Sequence, residues 1–337
     1  MASTKVNIAV AGLGFMGVTH LRAYQRLRNA RVVAVCDSSR APVNGVIGGV
    51  GGNLGDSSAL TLGAGVRFYR RFDELLADGE VEVVDICTPT ALHPAQVLAA
   101  MRAKKHVLCE KPLGKDAGEV RRMLRAINGT QRFLMPAMCM RFWPGWAEMK
   151  QIVAEKTYGT VLAANFRRVS ARPSWSKAGV HAGGALYDLH IHDTDFVHYL
   201  FGQPEKVFST GITDASGNID HVVTQYIFTN GPVVHAEGSW LLTDGFNMAF
   251  TLHCEGATID FDLARGAGAL QIARRGRTQR MLKPAGTDGY SAEIRYFVNC
   301  VARGEKPSVV TARDCVTTLE ILRAEEKSVR SGRPVAV

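Results

Sequence analysis

The amino-acid sequence predicts an α/β protein of two domains, the first built on a parallel sheet and the second on a largely antiparallel one. Three observations support this class. Short β-rich segments alternate with amphipathic helical segments up to about Met140, a Gly-x-Gly-x-x-Gly motif follows the first of them, and strand-like segments succeed one another later in the chain. The length of 337 residues exceeds that of most single cores. We therefore divide the chain into residues 1–138 and 139–337.

The first domain is predicted to contain strands separated by helices. The β-rich segments span residues 6–11, 31–36, 66–69, 83–87, 106–109 and 133–137. The helical segments between them include residues 20–27, 94–103 and 117–127. Strands that alternate with helices form βαβ units, and these units build parallel sheets. A Gly-rich stretch at 44–65 stands where a helix would normally follow the second strand, and its composition is typical of a flexible loop.

The second domain is predicted to be largely antiparallel. A few helical segments come first, and strand-like segments then span residues 206–212, 222–228, 233–240, 248–254 and 258–263. Because Gly, Asn and Asp residues that favour turns separate these segments, neighbouring strands are expected to pair antiparallel. Two helices, near 292–303 and 312–330, finish the chain.

The composition excludes several classes of protein. Hydrophobic residues make up 46% and charged residues 21% of the chain, as in soluble globular proteins. The apolar run at 6–11 is too short for a signal-peptide core and no run approaches a membrane span, so we predict a cytoplasmic protein with no membrane partner. Seven cysteines without a Cys-x-x-Cys pair indicate neither a disulfide framework nor a zinc ribbon. The net charge is +9, but the arginines are dispersed along the chain, which argues against a nucleic-acid partner. The positive charge favours acidic small ligands.

The glycine motif predicts a dinucleotide site. Gly12, Gly14 and Gly17, with Phe15 and Met16 between them, lie between a predicted strand and a predicted helix. In a Rossmann βαβ unit the first glycine permits the tight turn, the second lets the pyrophosphate approach the backbone, and the third allows close packing of helix on strand. Residues 1–138 are therefore predicted to form a dinucleotide-binding Rossmann domain.

Two residues after the second predicted strand bear on the choice between NAD and NADP. Asp37 ends that strand, where its carboxylate would accept hydrogen bonds from the adenosine ribose hydroxyls and repel a 2′-phosphate. Arg40 is close by in the sequence, and a guanidinium is suited to pair with such a phosphate. We predict NAD as the cofactor and keep NADP as the alternative.

A lysine follows the predicted strand at 106–109. It lies within the tripeptide Glu110-Lys111-Pro112. Ligands of open α/β sheets bind outside the carboxyl ends of the strands, so Lys111 is predicted to contact a substrate. A surface Lys-Pro turn is the alternative interpretation of an isolated tripeptide.

A predicted helix in the second domain carries further candidate catalytic groups. Helical spacing puts Asp188, His192, Asp195 and Tyr199 on one face, while His190 points elsewhere. A carboxylate one turn from an imidazole orients it and makes it more basic, as a general base for an alcohol proton requires. The alternative is a helix whose His and Asp side chains only bond to neighbours. Because the two histidines point to different faces, we predict no metal site.

As an ordered set, these motifs resemble the glucose-fructose oxidoreductase / inositol dehydrogenase (Gfo/Idh/MocA) family almost from end to end. The motifs are AGLGFMG at 11–17, Cys87-Thr88-Pro89-Thr90 with His93, Glu110-Lys111-Pro112, Arg141-Phe142, Gly183-Gly184 with Asp188 and His192, and Ser331-Gly332-Arg333-Pro334-Val335. The resemblance implies a Rossmann domain followed by an α/β domain with an open, mostly antiparallel sheet, whose face often mediates dimers or tetramers. A homodimer or homotetramer is therefore expected. The implied reaction is oxidation of a secondary alcohol on a sugar or cyclic polyol, or the reverse reduction.

The resemblance also implies roles for individual residues. Lys111 contacts the reacting oxygen, and His192 is the general base or acid. Asp188 binds the substrate and orients His192. The implied cofactor contacts are Thr88, Pro89, His93 and Glu110, and the candidate substrate contacts are Arg141, Trp143, Trp175 and Asp188. Tryptophan faces suit sugar rings and arginine suits hydroxyls or carboxylates, although a packing role is the alternative for each. Hydride transfer to a nicotinamide is chemically consistent with a lysine that stabilises charge on oxygen and a histidine that removes its proton.

The sequence departs from the family pattern in two places and leaves three function classes open. The stretch at 44–65 is longer than usual, and Thr90 stands where relatives commonly carry Asn. The leading hypothesis is an NAD(P)-dependent sugar or polyol dehydrogenase, with residues 139–337 binding the substrate and forming the oligomer. The alternatives are a glycosidase that uses tightly held NAD and a non-catalytic dinucleotide sensor, although a sensor needs neither Lys111 nor His192.

Overall fold

A computed structural model gives the fold of the chain. It describes residues 5–52, 57–173, 176, 183–277, 280–282 and 288–337. The chain divides into two compact units, of which the first comprises residues 1–142 and 287–316 and the second comprises residues 143–286 and 317–337. The division by sequence did not include this return of 287–316 to the first unit.

The strands and helices of the described residues are as follows. The strands are β1 (Val6–Ala11), β2 (Ala30–Cys36), β3 (Val46–Ile47), β4 (Leu60–Thr61), β5 (Arg67–Tyr69), β6 (Val83–Ile86), β7 (His106–Glu110), β8 (Leu134–Ala137), β9 (Val161–Ala171), β10 (Lys206–Thr213), β11 (Ile219–Ile227), β12 (Val233–Cys254), β13 (Thr258–Asp262), β14 (Leu270–Ala273), β15 (Arg280–Leu282) and β16 (Val335–Ala336). The α-helices are α1 (Phe15–Gln25), α2 (Phe72–Ala77), α3 (His93–Arg102), α4 (Ala117–Ala126), α5 (Ala147–Ala154), α6 (Ile191–Phe201), α7 (Gly289–Arg303) and α8 (Ala312–Ser331).

The first unit is built on a parallel sheet. Within the described residues it has six strands in the order β5-β2-β1-β6-β7-β8, and each ladder is parallel. β6 and β7 are buried along their whole length, as expected where helices cover both faces of a parallel sheet. The predicted parallel sheet is confirmed, and each strand ends within one residue of its predicted limits. The strand order reverses direction between β1 and β6, which is where ligands bind in such folds.

Helices of the first unit begin at clear signals. α4 and α7 each start after an aspartate, Asp116 or Asp288, whose side chain accepts a backbone N–H three residues further on. α1 starts at Phe15, five residues before the predicted start, and therefore directly inside the glycine motif. No helix within the described ranges combines the length and apolarity needed to cross a membrane.

The Gly-rich stretch at 44–65 contains regular structure that its composition did not predict. β3 and β4 pair antiparallel. Two side chains of α1 hold β4 and the residues just before it. Arg22 donates to the Ser58 carbonyl at 2.5 Å, and Gln25 donates to the Thr61 carbonyl at 2.7 Å. The prediction of a wholly flexible loop is therefore wrong for its described parts. Glycine-rich composition lowers the local preference for a strand. The contacts that hold this segment on α1 join residues that lie far apart in the sequence, so composition did not indicate them.

The second unit is built on an antiparallel sheet. Its described strands follow the order β15-β14-β13-β12-β11-β10-β16, and β9 pairs with β12. β12 changes direction around 241–246, and both of its halves pair with β9, which therefore lies between them. The predicted antiparallel sheet is confirmed, but the segments predicted at 233–240 and 248–254 belong to this one strand.

β9 was not predicted because charged residues interrupt its apolar pattern. Arg168 nevertheless points into the core, where its guanidinium donates to the Asp193 carboxylate at 2.7 Å and lies over the Trp146 ring at 5.3 Å. A buried guanidinium is tolerated where it is paired and hydrogen-bonded. The partner is remote in sequence, so local patterning gave no sign of it.

The two faces of this sheet differ. One face packs on aromatic side chains around the fully buried Trp146, whose neighbours are the rings of Phe166, Phe196, Phe250 and Phe261. The alternating positions on the other face expose apolar side chains, which include Ile212, Val223, Val233 and Leu241. Solvent-exposed apolar groups grouped on one sheet face are typical of an interaction surface.

Candidate active site

The glycine motif joins β1 to α1 in the first unit. At Gly12 the backbone φ is +94°, and a Cβ there would lie 2.5 Å from the Cys87 carbonyl oxygen. At Gly17 a Cβ would lie 1.8 Å from the Gly12 carbonyl oxygen. Gly14 differs, because no heavy atom of the described residues lies within 4 Å of the position a Cβ would take. Packing thus requires two of the glycines, and the third leaves open space beside the backbone.

The first turn of α1 fits a bound pyrophosphate. Gly14 occupies the N-cap position without a side-chain cap, and its first turn carries no acidic residue within this described segment. The backbone N–H groups and the positive end of the helix dipole are therefore available to an anion. Phe15 and Met16 are half-buried in this turn, and Gly52 packs on the Phe15 ring so closely that a Cβ at 52 would lie 2.2 Å from it. The Gly-rich stretch therefore borders the dinucleotide site.

Alanine at each of two glycines is expected to separate packing from ligand binding. Gly17→Ala forces the helix from the Gly12 carbonyl and is expected to lower stability by about 1–3 kcal/mol. Gly14→Ala meets no protein atom and is expected to leave the melting temperature unchanged while weakening NADH binding. Thermal unfolding and NADH fluorescence titration measure the two effects. An unchanged Kd for NADH in Gly14→Ala would contradict the assignment of the open space to the pyrophosphate.

Asp37 is tied to the glycine motif. Its Oδ2 accepts the Leu13 N–H at 2.8 Å, and its Oδ1 accepts the backbone N–H groups of Ser39 and Arg40, each at 2.8 Å. Partial burial by itself raises the pKa of Asp37, but these backbone hydrogen bonds outweigh it and hold the pKa below the ordinary value. Asp37 is therefore an oriented carboxylate at the end of β2.

Arg40 contacts carbonyl groups. Its guanidinium donates to the Leu13 carbonyl at 3.2 Å and to the carbonyls of Gly48 and Gly49 in the Gly-rich stretch. The side chain predicted as a partner for a 2′-phosphate therefore links the glycine motif to residues 48 and 49. The Arg40 backbone N–H is hydrogen-bonded to Asp37.

The loop after β6 contains three predicted cofactor contacts. Thr88 is half-buried and donates to Gln96 at 2.5 Å, while Pro89 is exposed. His93 is buried, with Nε2 2.6 Å from the Thr88 carbonyl oxygen and Nδ1 2.7 Å from that of Pro112. Burial lowers the pKa of His93. Both ring nitrogens of His93 face backbone carbonyls, so its side chain joins the loops after β6 and β7, and its predicted cofactor contact stays a prediction.

Glu110 and Lys111 form the end of β7. Lys111 is half-buried, and its peptide bond to Pro112 is cis. The nearly buried Glu110 carboxylate accepts the Lys111 backbone N–H at 2.9 Å, and its other oxygen lies 3.3 Å from His20 Nε2. Glu110 is one of the implied cofactor contacts, and in the structure its carboxylate faces these two groups of the first unit.

The second unit holds the other catalytic candidates. The predicted helix is a π-turn over Leu186–His190 that continues into α6. Asp188 and His192 are half-buried, but Asp195 is buried and accepts a hydrogen bond from the Thr318 hydroxyl at 3.1 Å. His192, Asp195 and Tyr199 keep α-helical spacing within α6, whereas the π-turn changes the rotation between Asp188 and these three residues. Single π-turns of this kind occur frequently at functional sites.

Three predicted substrate contacts have different outcomes. Arg141 belongs to the first unit and is buried, with its guanidinium donating to the Val309 carbonyl at 2.9 Å and the Asp314 carboxylate at 3.0 Å. These contacts hold the start of α8, and the substrate role of Arg141 stays a prediction. Trp143 is half-buried. Trp175 lies outside the described residues.

One polar group at this end of the sheet was not identified from the sequence. His20 on α1 lies between the carboxylates of Asp85 and Glu110, from β6 and β7. The signal was present in the strand Val83–Ile86, where an aspartate interrupts an otherwise apolar and fully buried segment. A buried carboxylate needs a partner, but nothing local indicates which residue supplies it.

Comparisons with known proteins cover both units. Residues 6–138 match a family model described as "Oxidoreductase family, NAD-binding Rossmann fold", and residues 146–260 match the "GFO/IDH/MocA C-terminal domain". Inositol 2-dehydrogenase of Rhizobium meliloti is 26% identical over 98% of this chain and 99% of its own length. Trans-1,2-dihydrobenzene-1,2-diol dehydrogenase of Sus scrofa is 37% identical over 46% and 47% of the two chains. A structure of levoglucosan dehydrogenase with NADH and L-sorbose shares the fold at a TM-score of 0.82, with 23% identity and 99% coverage of both chains.

Proposed function

Because the chain belongs to the Gfo/Idh/MocA family of oxidoreductases with an NAD-binding Rossmann domain, we propose that it oxidises a secondary alcohol of a sugar or cyclic polyol, or reduces the corresponding ketone. The relatives named for inositol, dihydrobenzenediol and levoglucosan support this substrate class. The observation that carries the proposal is the half-buried Lys111 at the carboxyl end of β7, in the unit that holds the NAD motif.

The first unit contributes the groups that bind the cofactor. Bound NAD supplies the nicotinamide that accepts or donates the hydride. The N–H groups at the start of α1 would hold its pyrophosphate, and the Asp37 carboxylate would accept from its adenosine ribose. Thr88 and Pro89, after β6, would contact it from the neighbouring strand end.

Lys111 and His192 carry the proton and charge chemistry. The Lys111 ammonium stabilises negative charge that develops on the reacting oxygen. His192 removes the hydroxyl proton during oxidation and returns it during reduction, and Asp188 orients His192 and binds a substrate hydroxyl. Asp188 and His192 are half-buried, as proton exchange with a ligand requires. Trp143 and Trp175 remain candidates for contact with the sugar ring.

A substrate panel tests the function. Inositols, aldoses, uronates, levoglucosan and their keto forms are incubated with NAD or NADP and followed by nicotinamide absorbance. Net reduction of added NAD with a free polyol or sugar is the expected result. Glycoside cleavage without net reduction would show the NAD-dependent glycosidase instead, and NADH binding without turnover on any compound would show the sensor.

Asp37→Ala is expected to relax the preference for NAD over NADP. The substitution removes the acceptor for the ribose hydroxyls and the charge that repels a 2′-phosphate, while Arg40 stays. Fluorescence titration with NADH and NADPH gives the ratio of the two Kd values. Asp37→Asn is the matched control, since it retains an acceptor oxygen for the Leu13 N–H but loses the charge. An unchanged ratio in both variants would contradict the role given to Asp37.

We also propose that the exposed face of the second unit's sheet forms a homodimer or homotetramer. Apolar side chains at Ile212, Val223 and Val233 on that face support the proposal. Sedimentation velocity is expected to show a dimer or tetramer for the wild type. Val223→Lys together with Val233→Lys is expected to shift it toward monomer, and a monomeric wild type would contradict the proposal.

A further inference from the structure

A buried chain of polar groups lies behind the strand end that carries Lys111. His20 Nδ1 is 2.8 Å from an Asp85 carboxylate oxygen, and Nε2 is 3.3 Å from a Glu110 carboxylate oxygen. The His20 and Asp85 side chains are fully buried, and that of Glu110 is 8% exposed. Buried charges of this kind are tolerated only when they compensate one another. One histidine therefore joins α1, β6 and β7.

Glu110 connects this chain to the backbone of Lys111. While its Oε1 faces His20, its Oε2 accepts the Lys111 N–H at 2.9 Å. Both oxygens of one carboxylate are thus engaged, so the side chain cannot rotate without breaking a contact. The orientation of the Lys111 peptide group depends on the same carboxylate that His20 holds.

The surroundings of His20 favour its charged form. Burial is the largest single effect and lowers the pKa of His20, but the charge and hydrogen bond of Asp85 together with the interactions of Cys87 raise it well above the ordinary value. Tyr24 donates to the same Asp85 oxygen at 3.0 Å. The ring is hydrogen-bonded through Nδ1 to Asp85. Its Nε2 has no hydrogen-bond partner among the described residues and lies at ion-pair distance from Glu110, so the charged ring attracts both carboxylates.

Two further ionisable groups lie near His20. Glu293 of α7 is fully buried, and neither of its carboxyl oxygens has a hydrogen-bond partner among the described residues. Burial raises the pKa of Glu293 well above the ordinary value. Cys87 Sγ lies 3.5 Å from His20 Nδ1, and burial raises the pKa of its thiol. The two carboxylates that face the ring nitrogens are Asp85 at Nδ1 and Glu110 at Nε2.

We infer that His20 is a positioning residue for Lys111, acting through Glu110. The inference rests on the proposed role of Lys111 and adds that a group on α1 sets how well it works. If His20 and Glu110 formed a purely structural pair, replacing His20 would alter stability and leave kcat unchanged. A metal site is the other alternative, because donor atoms of His20, Asp85 and Cys87 lie within 4.8 Å of one another.

The first test compares two buried histidines. His20→Gln is expected to lower kcat by about 10–100-fold through misplacement of Lys111, with KM for NAD unchanged. His106→Gln is the matched control, because His106 is a buried histidine at the opposite end of β7, bonded to the Phe133 N–H at 3.1 Å. This control is expected to retain kcat. An equal kcat for His20→Gln and wild type would overturn the inference.

The second test distinguishes this inference from the proposed function. In a Lys111→Ala background, His20→Gln is expected to cause little further loss, because contacting residues that act together are non-additive. Equal losses in both backgrounds would overturn the positioning role. If Lys111→Ala itself retained the wild-type rate, the proposed function would fail instead.

Two measurements do not depend on turnover of an identified substrate. Hydrogen–deuterium exchange at the Lys111 amide is expected to accelerate in His20→Gln and to stay unchanged in His106→Gln. Unchanged exchange in His20→Gln would contradict the link through Glu110. Chelation with EDTA followed by metal analysis is expected to detect no bound ion. Stoichiometric zinc whose removal destabilises the protein would replace the positioning role by a metal site.

Discussion

Replacing His192 by alanine is expected to lower kcat by about 10²–10⁴-fold and to leave the affinity for NAD unchanged, because a positioned general base contributes an effect of this size. His192 is half-buried in the first turn of α6, in the second unit, whereas the glycine motif belongs to the first. Steady-state kinetics on the best compound of the panel and NADH fluorescence titration separate the two quantities.

Chemical rescue and a surface control sharpen this prediction. Added imidazole is expected to restore part of the rate of His192→Ala, since it replaces the missing base, and to have no effect on the wild type. His253→Ala removes an exposed histidine of β12 and is expected to retain full activity. A His192→Ala variant with the wild-type rate would show that another group moves the proton.

Replacing Lys111 by methionine is expected to lower kcat by about 10²–10³-fold, the size of effect seen when one donor to a developing oxyanion is removed. Methionine keeps most of the length of the side chain and removes its charge. NADH affinity is expected to change little, because the phosphate-binding turn between β1 and α1 is untouched. Kinetics and NADH titration on the same preparation measure both.

Two further variants test what Lys111 contributes. Lys115→Met removes an exposed lysine four residues further on and is expected to behave as the wild type. Lys111→Arg keeps the charge but places a planar guanidinium where an ammonium stood, so only partial activity is expected. If Lys111→Met lost NADH affinity in proportion to kcat, the lysine would be a cofactor contact instead.

Much of the first unit could be predicted because its signals are local. Each strand of the parallel sheet is a short β-rich segment, and each is bounded by residues that end it, so the limits agree within one residue. The glycine motif could also be recognised, since its spacing and its place between β1 and α1 are local, although the residue that Gly12 approaches, Cys87, follows the remote strand β6. The position of Lys111 at a strand end followed from the same pattern.

Two arginines differ from the sequence-based expectation because their partners are remote in sequence. Arg168 lies in β9, a strand that the sequence analysis did not predict, and Asp193 neutralises it inside the core. Arg141 pairs with Asp314 at the start of α8, a contact that nothing local in the sequence indicates. The π-turn before α6 escaped prediction because residue spacing alone assumes an α-helical rotation.

The sequence by itself determined the fold class, the dinucleotide motif, and the residue types available for hydride-transfer chemistry, because periodicity and turn-forming glycines act over a few residues. Only the tertiary structure decided which polar side chains remain accessible and which are used inside the protein. Glu110 and His93 follow strand ends in the sequence, but one lies against His20 and the other between two backbone carbonyls. A buried polar group must find a partner, and the folded chain alone determines which partner is within reach.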